Sequence, residues 1–290
     1  MPRVRMIRWL MVCWGLCLVM AQGCLADPFA EAERQLRAQL GEGFRYGRTG
    51  VFVCAGNLDA RAFNSILEGT IGEGARLLRK QYFNKKPEYP IRVYLFKDDK
   101  TYRAYAKSLF NDTDVSYFGY YKPDKRALVM NIGTGTGTLV HEMVHALMEP
   151  DFPDVPTWFS EGLASLYEQC NYTSAGLVGL VNWRLPVLRE GLKKKTTLPL
   201  DKLVATTRDE FLDRRFGVHY AQARYFCQYL QERGLLGEFY RDFRDGYKKD
   251  PTGAKTLETL LKKPLPEVEK DWLAWVGTLN KVPALSPGDT

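Results

Sequence analysis

The sequence predicts an α+β fold in which a small N-terminal mixed sheet with helices precedes a helical C-terminal half. Short β-type runs alternate with helical segments up to Ile132, and only helical periodicity follows. The 290 residues are 45% apolar and 26% charged, which is the balance of an ordinary globular protein. Because no repeat or low-complexity linker divides the chain, residues 27–280 are predicted to form one domain, with 281–290 as a frayed tail.

The N-terminal half is predicted to alternate between helices and strands. Apolar side chains at helical spacing predict one long amphipathic helix over 58–82. Further helices are expected over 31–40 and 100–110, and strands over 51–54, 91–96, 117–121 and 127–132. The last two strands predict a hairpin around Pro123 and Asp124. Its aromatic residues are expected to pack across the strands or, alternatively, to line a cleft; they are Tyr117, Phe118, Tyr120 and Tyr121.

The C-terminal half is predicted to be helical throughout. Helices are expected over 138–148, 156–170, 183–192, 220–233, 236–247 and 265–279. Pro150, Pro153 and Pro156 interrupt the apolar pattern between the first two of these helices. Because proline ends a helix, the chain is predicted to reverse its direction there.

The N-terminus has the layout of a secretory signal peptide. Three arginines precede an apolar run over 9–21, which is shorter than the about 20 residues that span a bilayer. Residues 1–26 are therefore predicted to be a signal peptide cleaved before Asp27. Residues 20–24 also resemble a lipoprotein box, which would place cleavage and a lipid at Cys24; an uncleaved anchor is the remaining alternative. Either cleavage predicts an exported protein of the bacterial periplasm or cell envelope.

The net charge argues against a nucleic-acid site, and the cysteine spacing argues against a thiolate metal site. Removing the three signal arginines from the 41 basic residues leaves 38 against 34 acidic ones, which is too small an excess to indicate a nucleic-acid partner. Contact with a membrane is expected only through a lipid on Cys24. Cys54, Cys170 and Cys227 include no CxxC pair, so a thiolate metal site is not expected. Whether two of these three cysteines form a disulfide stays open.

The run His-Glu-Met-Val-His over 141–145 predicts a metal site. Positions i and i+4 of an α-helix share one face, so His141 and His145 can bind one ion. Neutral imidazole is a preferred ligand of Zn²⁺. Glu142 lies about 100° around the helix, where it can act as a general base on a water at the metal. The sequence has three histidines, and two of them fall in this pattern.

Glu161 is predicted to be the third metal ligand, because a catalytic zinc site keeps three protein ligands and one open position. The proline-containing loop after the first helix lets the second helix fold back over it. Gly162 and Ala164 are small enough for two helices to approach closely. Other acidic residues are less well placed, and the alternatives to Glu161 are Glu149, Asp151, Asp154 and Glu168.

The two segments LVHEMVHAL over 139–147 and WFSEGLA over 158–164 resemble the gluzincin metallopeptidases, and most closely the peptidase MA-like group of exported bacterial proteins. The similarity extends loosely over about residues 90–280. It implies a zincin-like fold, with zinc held by His141, His145 and Glu161. Many gluzincins place an Asp four residues after the ligand Glu to orient a histidine, whereas this chain has Ser165 there. The resemblance therefore leaves the residue that orients the histidine open.

The resemblance also implies a hydrogen-bond donor for the oxyanion that forms during hydrolysis. Such a donor contributes about 2.7–4 kcal/mol to the transition state. Tyr220 is similar to the tyrosine that the family places before a Gln-Ala pair, and it is predicted as a site residue. His219 is the alternative donor. Ordinary packing at the start of a helix would also account for both residues.

These features predict a zinc-dependent peptidase, a hydrolase in which Glu142 takes a proton from a metal-activated water and passes it to the leaving amine. Its partner is a peptide or protein substrate. The strand over 127–132, if it forms the exposed edge, would hold an extended peptide by strand addition. Two alternatives stay open: a catalytically weak zincin-fold binding or scaffold protein of the cell envelope, and a zinc hydrolase of non-peptide amides. The sequence indicates neither a cleavage specificity nor an oligomeric state.

Overall fold

A computed structural model describes residues 27–279, in which helices cover both faces of a five-stranded mixed sheet. The α+β class predicted from the sequence is confirmed. The predicted signal peptide and the predicted tail lie outside the described residues. Between residues 27 and 279, no helix is long and apolar enough to cross a membrane.

The main sheet combines a parallel centre with antiparallel edges. Its strands are β1 (Arg45–Thr49), β2 (Phe52–Gly56), β3 (Ile91–Phe96), β4 (Gly119–Lys122) and β5 (Ala127–Asn131). They lie in the order β1-β2-β3-β5-β4; β2, β3 and β5 are parallel, and β1 and β4 pair antiparallel with their neighbours. A separate hairpin pairs β6 (Cys170–Tyr172) with β7 (Leu177–Gly179). The sequence did not predict β1, β6 or β7, because these short stretches are polar or contain glycine and lack an alternating apolar pattern.

Most of the chain outside the sheet is helical. The α-helices are α1 (Pro28–Leu40), α2 (Ala60–Asn64), α3 (Gly74–Gln81), α4 (Asp99–Phe110), α5 (Gly137–Met148), α6 (Thr157–Leu166), α7 (Arg184–Lys193), α8 (Leu200–Val204), α9 (Arg208–Phe211), α10 (Phe216–Glu232), α11 (Leu236–Gly246), α12 (Ala254–Leu261) and α13 (Leu265–Thr278). The helix predicted over 156–170 ends already at Leu166, and the hairpin of β6 and β7 follows it. The short helices α8, α9 and α12 were not predicted, because each has at most eight residues, which is too short for an apolar pattern to establish a helical period.

The alternation of side chains along the strands divides the core into two layers. In β3, Val93 and Leu95 pack in the larger layer, which contains α5, α6 and α10. Tyr94 and Phe96 point to the other face, where α1 and α4 cover the sheet. This alternation follows from the period of two in a β-strand. It places α5 against one face of the sheet, beside β4 and β5.

The helix predicted over 58–82 is helical but is not one α-helix. Between α2 and α3, residues Ser65–Glu73 form a π-helix. The i→i+5 hydrogen bonds of a π-helix bring residues five positions apart onto one face, whereas an α-helix would separate them by about 140°. Ile66 and Ile71 are five residues apart and both are buried. The apolar pattern therefore predicts the buried residues correctly but not the wider turn that buries them.

The hairpin predicted around Pro123 and Asp124 is confirmed, and its first strand lies at the edge of the sheet. β5 lies between β3 and β4, and all five of its residues are buried. The condition under which the strand over 127–132 would hold a peptide, that it forms the exposed edge, is therefore not met, and β4 forms that edge. Tyr117 and Phe118 precede β4 and are exposed rather than packed across the hairpin.

Candidate metal centre

Helix α5 carries three of the predicted site residues. It begins at Gly137, where an added Cβ would collide with the carbonyl oxygen of Glu168, so only glycine fits without movement. Most of the helix is buried, but Glu142 and His145 are only partly covered. Both face a cavity of about 560 Å³, which His141 also lines. The helix therefore presents the two histidines and the glutamate to one cavity.

Helix α6 brings Glu161 to the same cavity. The loop between α5 and α6 contains the three prolines expected to reverse the chain, and α6 packs back against α5. Gly162 contacts α10 rather than α5: an added Cβ would lie 2.9 Å from the carbonyl oxygen of Ala223 and from Sγ of Cys227. The close approach predicted for Gly162 is therefore made with a third helix.

Three donor atoms from these two helices form a small triangle. Nε2 of His141 lies 3.1 Å from Nε2 of His145 and 3.3 Å from Oε2 of Glu161, and the remaining side measures 3.5 Å. A tetrahedral ion with bonds of about 2.0–2.1 Å separates its ligands by about 3.3–3.4 Å. The three side chains can therefore hold one metal ion as they stand.

The pKa shifts of the residues in the triangle are also those expected where a cation is favoured. Oε2 of Glu161 is buried and has no hydrogen-bond partner among residues 27–279. Burial alone would raise the pKa of Glu161, but the imidazoles of His145 and His141 outweigh it and hold this pKa well below its usual range. Burial alone would lower the pKa of His141. The carboxylates of Glu161 and Glu168 outweigh burial and raise this pKa to about 10. The pocket therefore favours a positive charge beside the ionised carboxylate of Glu161. A bound metal cation would also supply that positive charge.

The second nitrogen of each histidine contacts a different residue. Nδ1 of His145 forms a 3.0 Å hydrogen bond with Oγ of Ser160, the neighbour of Glu161. Nδ1 of His141 lies 3.4 Å from Oε1 of Glu168. Contacts of this kind fix the ring orientation and tautomer of ligand histidines. Glu168, an alternative third ligand in the sequence prediction, thus lies behind His141 and not within the triangle.

Arg184 holds Glu168 in this position. Its Nε and Nη2 donate to the two carboxylate oxygens at 2.7 and 2.5 Å. Burial would raise the pKa of Glu168, but Arg184 and His141 lower it to about 2. Sequence analysis missed this role of Arg184, because nothing marks the residue sixteen positions after Glu168. The position of Glu168, seven residues or two helical turns after Glu161, was a signal that it lies on the same side.

Glu142 and Tyr220 lie around the triangle in the same cavity. Burial raises the pKa of Glu142, and the two histidine rings partly oppose this shift. Burial also raises the pKa of Tyr220, and the nearby carboxylate of Glu161 raises this pKa further. The guanidinium carbon of Arg184 lies 5.3 Å from the centre of the Tyr220 ring. Both residues therefore line the cavity that His141, His145 and Glu161 also line.

His219 does not reach the cavity. Its ring is fully buried, and Nδ1 hydrogen-bonds to the carbonyl oxygen of Phe211 at 2.9 Å. Of the two candidate donors, only Tyr220 lines the metal cavity. Position along α10 explains the difference, because adjacent residues of a helix point about 100° apart.

The remaining alternatives to Glu161 have other partners or lie elsewhere. Glu149 accepts a 2.7 Å hydrogen bond from the Tyr121 hydroxyl at the rim of the cavity. Asp151 is buried in an ion pair with Arg244. Asp154 is exposed and does not belong to the metal-binding group.

The question of a disulfide is answered for the described cysteines. Cys54, Cys170 and Cys227 are all free thiols. Cys54 and Cys227 are buried, and burial raises their thiol pKa values well above the usual range. These two cysteines therefore behave as small apolar core residues.

No protein-family model matches the chain, and no curated protein matches it significantly. The functional argument therefore depends on the geometry of the site and on the residues that form it.

Proposed function

We propose that this protein is an exported zinc-dependent peptidase of the gluzincin type. The observation that carries this proposal is the triangle of donor atoms from His141, His145 and Glu161, with sides close to those of a tetrahedral zinc site. Glu142 and Tyr220 lie in the same cavity. A site that only stores or senses a metal has no need of an acidic residue beside its ligands, so the presence of Glu142 favours hydrolysis.

The described residues can supply the proton transfers of amide hydrolysis. Zinc bound here would acidify a water and polarise a carbonyl group. Glu142 is placed to accept a proton from the attacking water and to donate it to the leaving amine. Burial raises the pKa of Glu142, which makes its carboxylate a stronger base than an exposed one. Tyr220 stays protonated because its pKa is raised, so its hydroxyl can donate a hydrogen bond to the oxyanion.

Strand β4 is the element best placed to hold an extended peptide. It forms the edge of the sheet, packs against α5, and contributes Tyr120 and Tyr121 to the metal cavity. The backbone of Tyr121 lies close enough to Glu142 to lower the pKa of its carboxyl group. A substrate added as a further strand would therefore pass the metal centre. β5, which the sequence analysis considered on the condition that it formed the edge, lies inside the sheet.

Export belongs to the proposal because it rests on the sequence of residues 1–26. We infer that the mature protein acts in the periplasm or cell envelope, beginning at Asp27 or at a lipid-modified Cys24. N-terminal sequencing and mass spectrometry of the protein from an envelope fraction test this inference. An intact Met1 in the cytosolic fraction would contradict it.

The function is tested by metal analysis followed by digestion of a peptide library. We expect about one zinc per chain and cleavage of peptides that stops when a chelator removes the metal and returns when zinc is added. Zinc binding without any turnover of peptides would favour the scaffold alternative. Hydrolysis of small amides without peptide cleavage would favour the non-peptide hydrolase. Absence of bound metal from the folded protein would contradict all three.

A further inference from the structure

A second large cavity lies apart from the metal centre, at the start of the described chain. It has a volume of about 590 Å³ and lies between α1, the turn from β1 to β2, and α3. Its lining includes neither the metal ligands nor Glu142 or Tyr220. The proposed peptidase activity makes no use of this cavity.

The charged residues that line the cavity are mainly basic. Four basic residues and one acidic residue contribute to its wall: Arg48, Arg76, Arg79, Lys86 and Glu88. Arg76 pairs with Glu73 at 2.6 Å, and Arg48 lies 3.6 Å from Asp27. Within residues 27–279, Arg79 and Lys86 form no ion pair, and both are exposed. Two cations at the rim are therefore available to an anionic ligand.

The cavity lies close to the N-terminal segment, and this position indicates which kind of anion it binds. Phe29 lines the cavity, and the guanidinium carbon of Arg48 lies 4.0 Å from the centre of its ring. The apolar run over 9–21 ends six residues before Asp27, and six residues span at most about 22 Å. Any membrane association of that apolar run, or of a lipid on Cys24, would bring the basic cavity to the membrane surface.

We propose that this cavity docks the protein on anionic membranes by binding phospholipid phosphate groups. Arg79 and Lys86 supply the charge that is not already paired, and Arg48 and Arg76 add to the positive field. Each Lys or Arg near an anionic lipid surface contributes roughly fivefold to binding. Such attraction falls off within a Debye length, about 8 Å at physiological salt, so it should weaken as salt rises.

Vesicle flotation tests the proposal on the processed protein. Vesicles of equal parts phosphatidylglycerol and phosphatidylcholine are compared with vesicles of phosphatidylcholine alone. A lipid anchor or an apolar segment would bind both, so the preference for phosphatidylglycerol reports the charge of the headgroup. We expect a clear preference for the anionic vesicles, which decreases with added salt.

Paired variants locate this preference. The double change Arg79→Gln with Lys86→Gln should reduce binding to anionic vesicles roughly twenty-five-fold. The matched control is Lys193→Gln with Lys195→Gln, two exposed lysines near the end of α7, which does not line the cavity. This control should bind like the wild type. Melting curves check that each variant is folded, since all four side chains are exposed.

Three results would overturn the proposal. They are equal binding to both vesicle types, an equal loss in the control variant, and stabilisation by inorganic phosphate without any preference for anionic vesicles. The last result would assign the cavity to a small free anion. None of these measurements depends on peptidase activity, so the docking proposal and the proposed function can fail independently.

Discussion

At the scale of single residues, the chain differs from the gluzincin pattern in the residue that contacts Nδ1 of His141. Ser165 occupies the position where many of those enzymes have an acid, and its buried hydroxyl makes no hydrogen bond within the described chain. Glu168 takes the place beside Nδ1 of His141. Because α6 ends at Leu166, this carboxylate reaches the histidine from the turn after the helix and not from the helix itself.

The two glutamates of the metal centre should respond differently to substitution. Glu142→Gln keeps the shape of the side chain but removes the base, so zinc should stay bound while activity falls about 10²–10⁴-fold. Glu161→Ala removes a ligand, so zinc affinity should fall markedly and activity with it. Zinc titration and a peptidase assay on both variants check this. Loss of zinc in Glu142→Gln with retention in Glu161→Ala would reverse the two assignments.

Glu168 should influence the metal without binding it. Glu168→Gln keeps the size of the side chain but removes the charge beside His141, and loss of such a partner typically costs about 10–100-fold in metal affinity. The control is Glu149→Gln, an acid at the rim of the cavity that the two histidines line, whose side chain hydrogen-bonds to Tyr121. Competition with a chromophoric chelator measures both. Equal zinc affinity in the wild type and Glu168→Gln would refute the positioning role.

At the scale of elements, the site depends on how closely α6 and α10 pack. These helices share the most extensive contact between any two helices described. Glu161 lies on α6, Tyr220 lies on α10, and Gly162 fills the contact point between them. Buried Arg224 of α10 donates from Nε to the carbonyl oxygen of Ser165 at 3.1 Å, which ties α10 to the end of α6. The distance between Glu161 and Tyr220 is therefore set by this one helix pair.

Gly162→Ala should disturb both stability and activity. The new Cβ would press on the carbonyl of Ala223 and the sulfur of Cys227. Overpacking of this kind costs about 1–3 kcal/mol, and a shift of about 1 Å in a site can cost about 10²-fold in rate. The control is Gly217→Ala in α10, where an added Cβ meets nothing within 4 Å. This control should be neutral or slightly stabilising. Melting curves and kcat are measured for both variants. A Gly162→Ala variant with the Tm and kcat of the wild type would contradict this prediction.

The sequence predicted elements well where one periodicity ran through a segment. The strand over 91–96 was predicted with its observed bounds, and α5 differs from its prediction by one residue. The π-helix Ser65–Glu73 could not be predicted, because the side-chain pattern does not specify which hydrogen bonds form. The edge position of β4 depends on the spatial order of the strands, which hairpin signals alone do not determine.

At the scale of the whole molecule, the candidate metal centre joins parts of the chain that the sequence keeps apart. The spacing of His141 and His145 was enough to predict that they lie together. The reversal of the chain at the prolines was enough to predict that Glu161 joins them. Arg184 and the partner role of Ser160 could not be predicted, because tertiary packing alone brings Arg184 to Glu168 and Ser160 to His145. The basic cavity likewise combines α1, β1 and α3, whose lysines and arginines look like solvated surface in the sequence.

Zinc should stabilise the folded protein because its ligands come together only when α5 and α6 pack. A ligand that binds only the folded state adds about 4.1 kcal/mol at a concentration of a thousand times Kd. For a domain of this size, each kcal/mol shifts Tm by roughly 2–4 °C, so saturating zinc should raise Tm by roughly 8–16 °C. Chelator should reverse the shift, and His145→Ala should abolish most of it. Differential scanning calorimetry with metal analysis measures the effect without any substrate. An unchanged Tm with stoichiometric zinc bound would show that the metal binds folded and unfolded chains alike, and that the triangle is not its site.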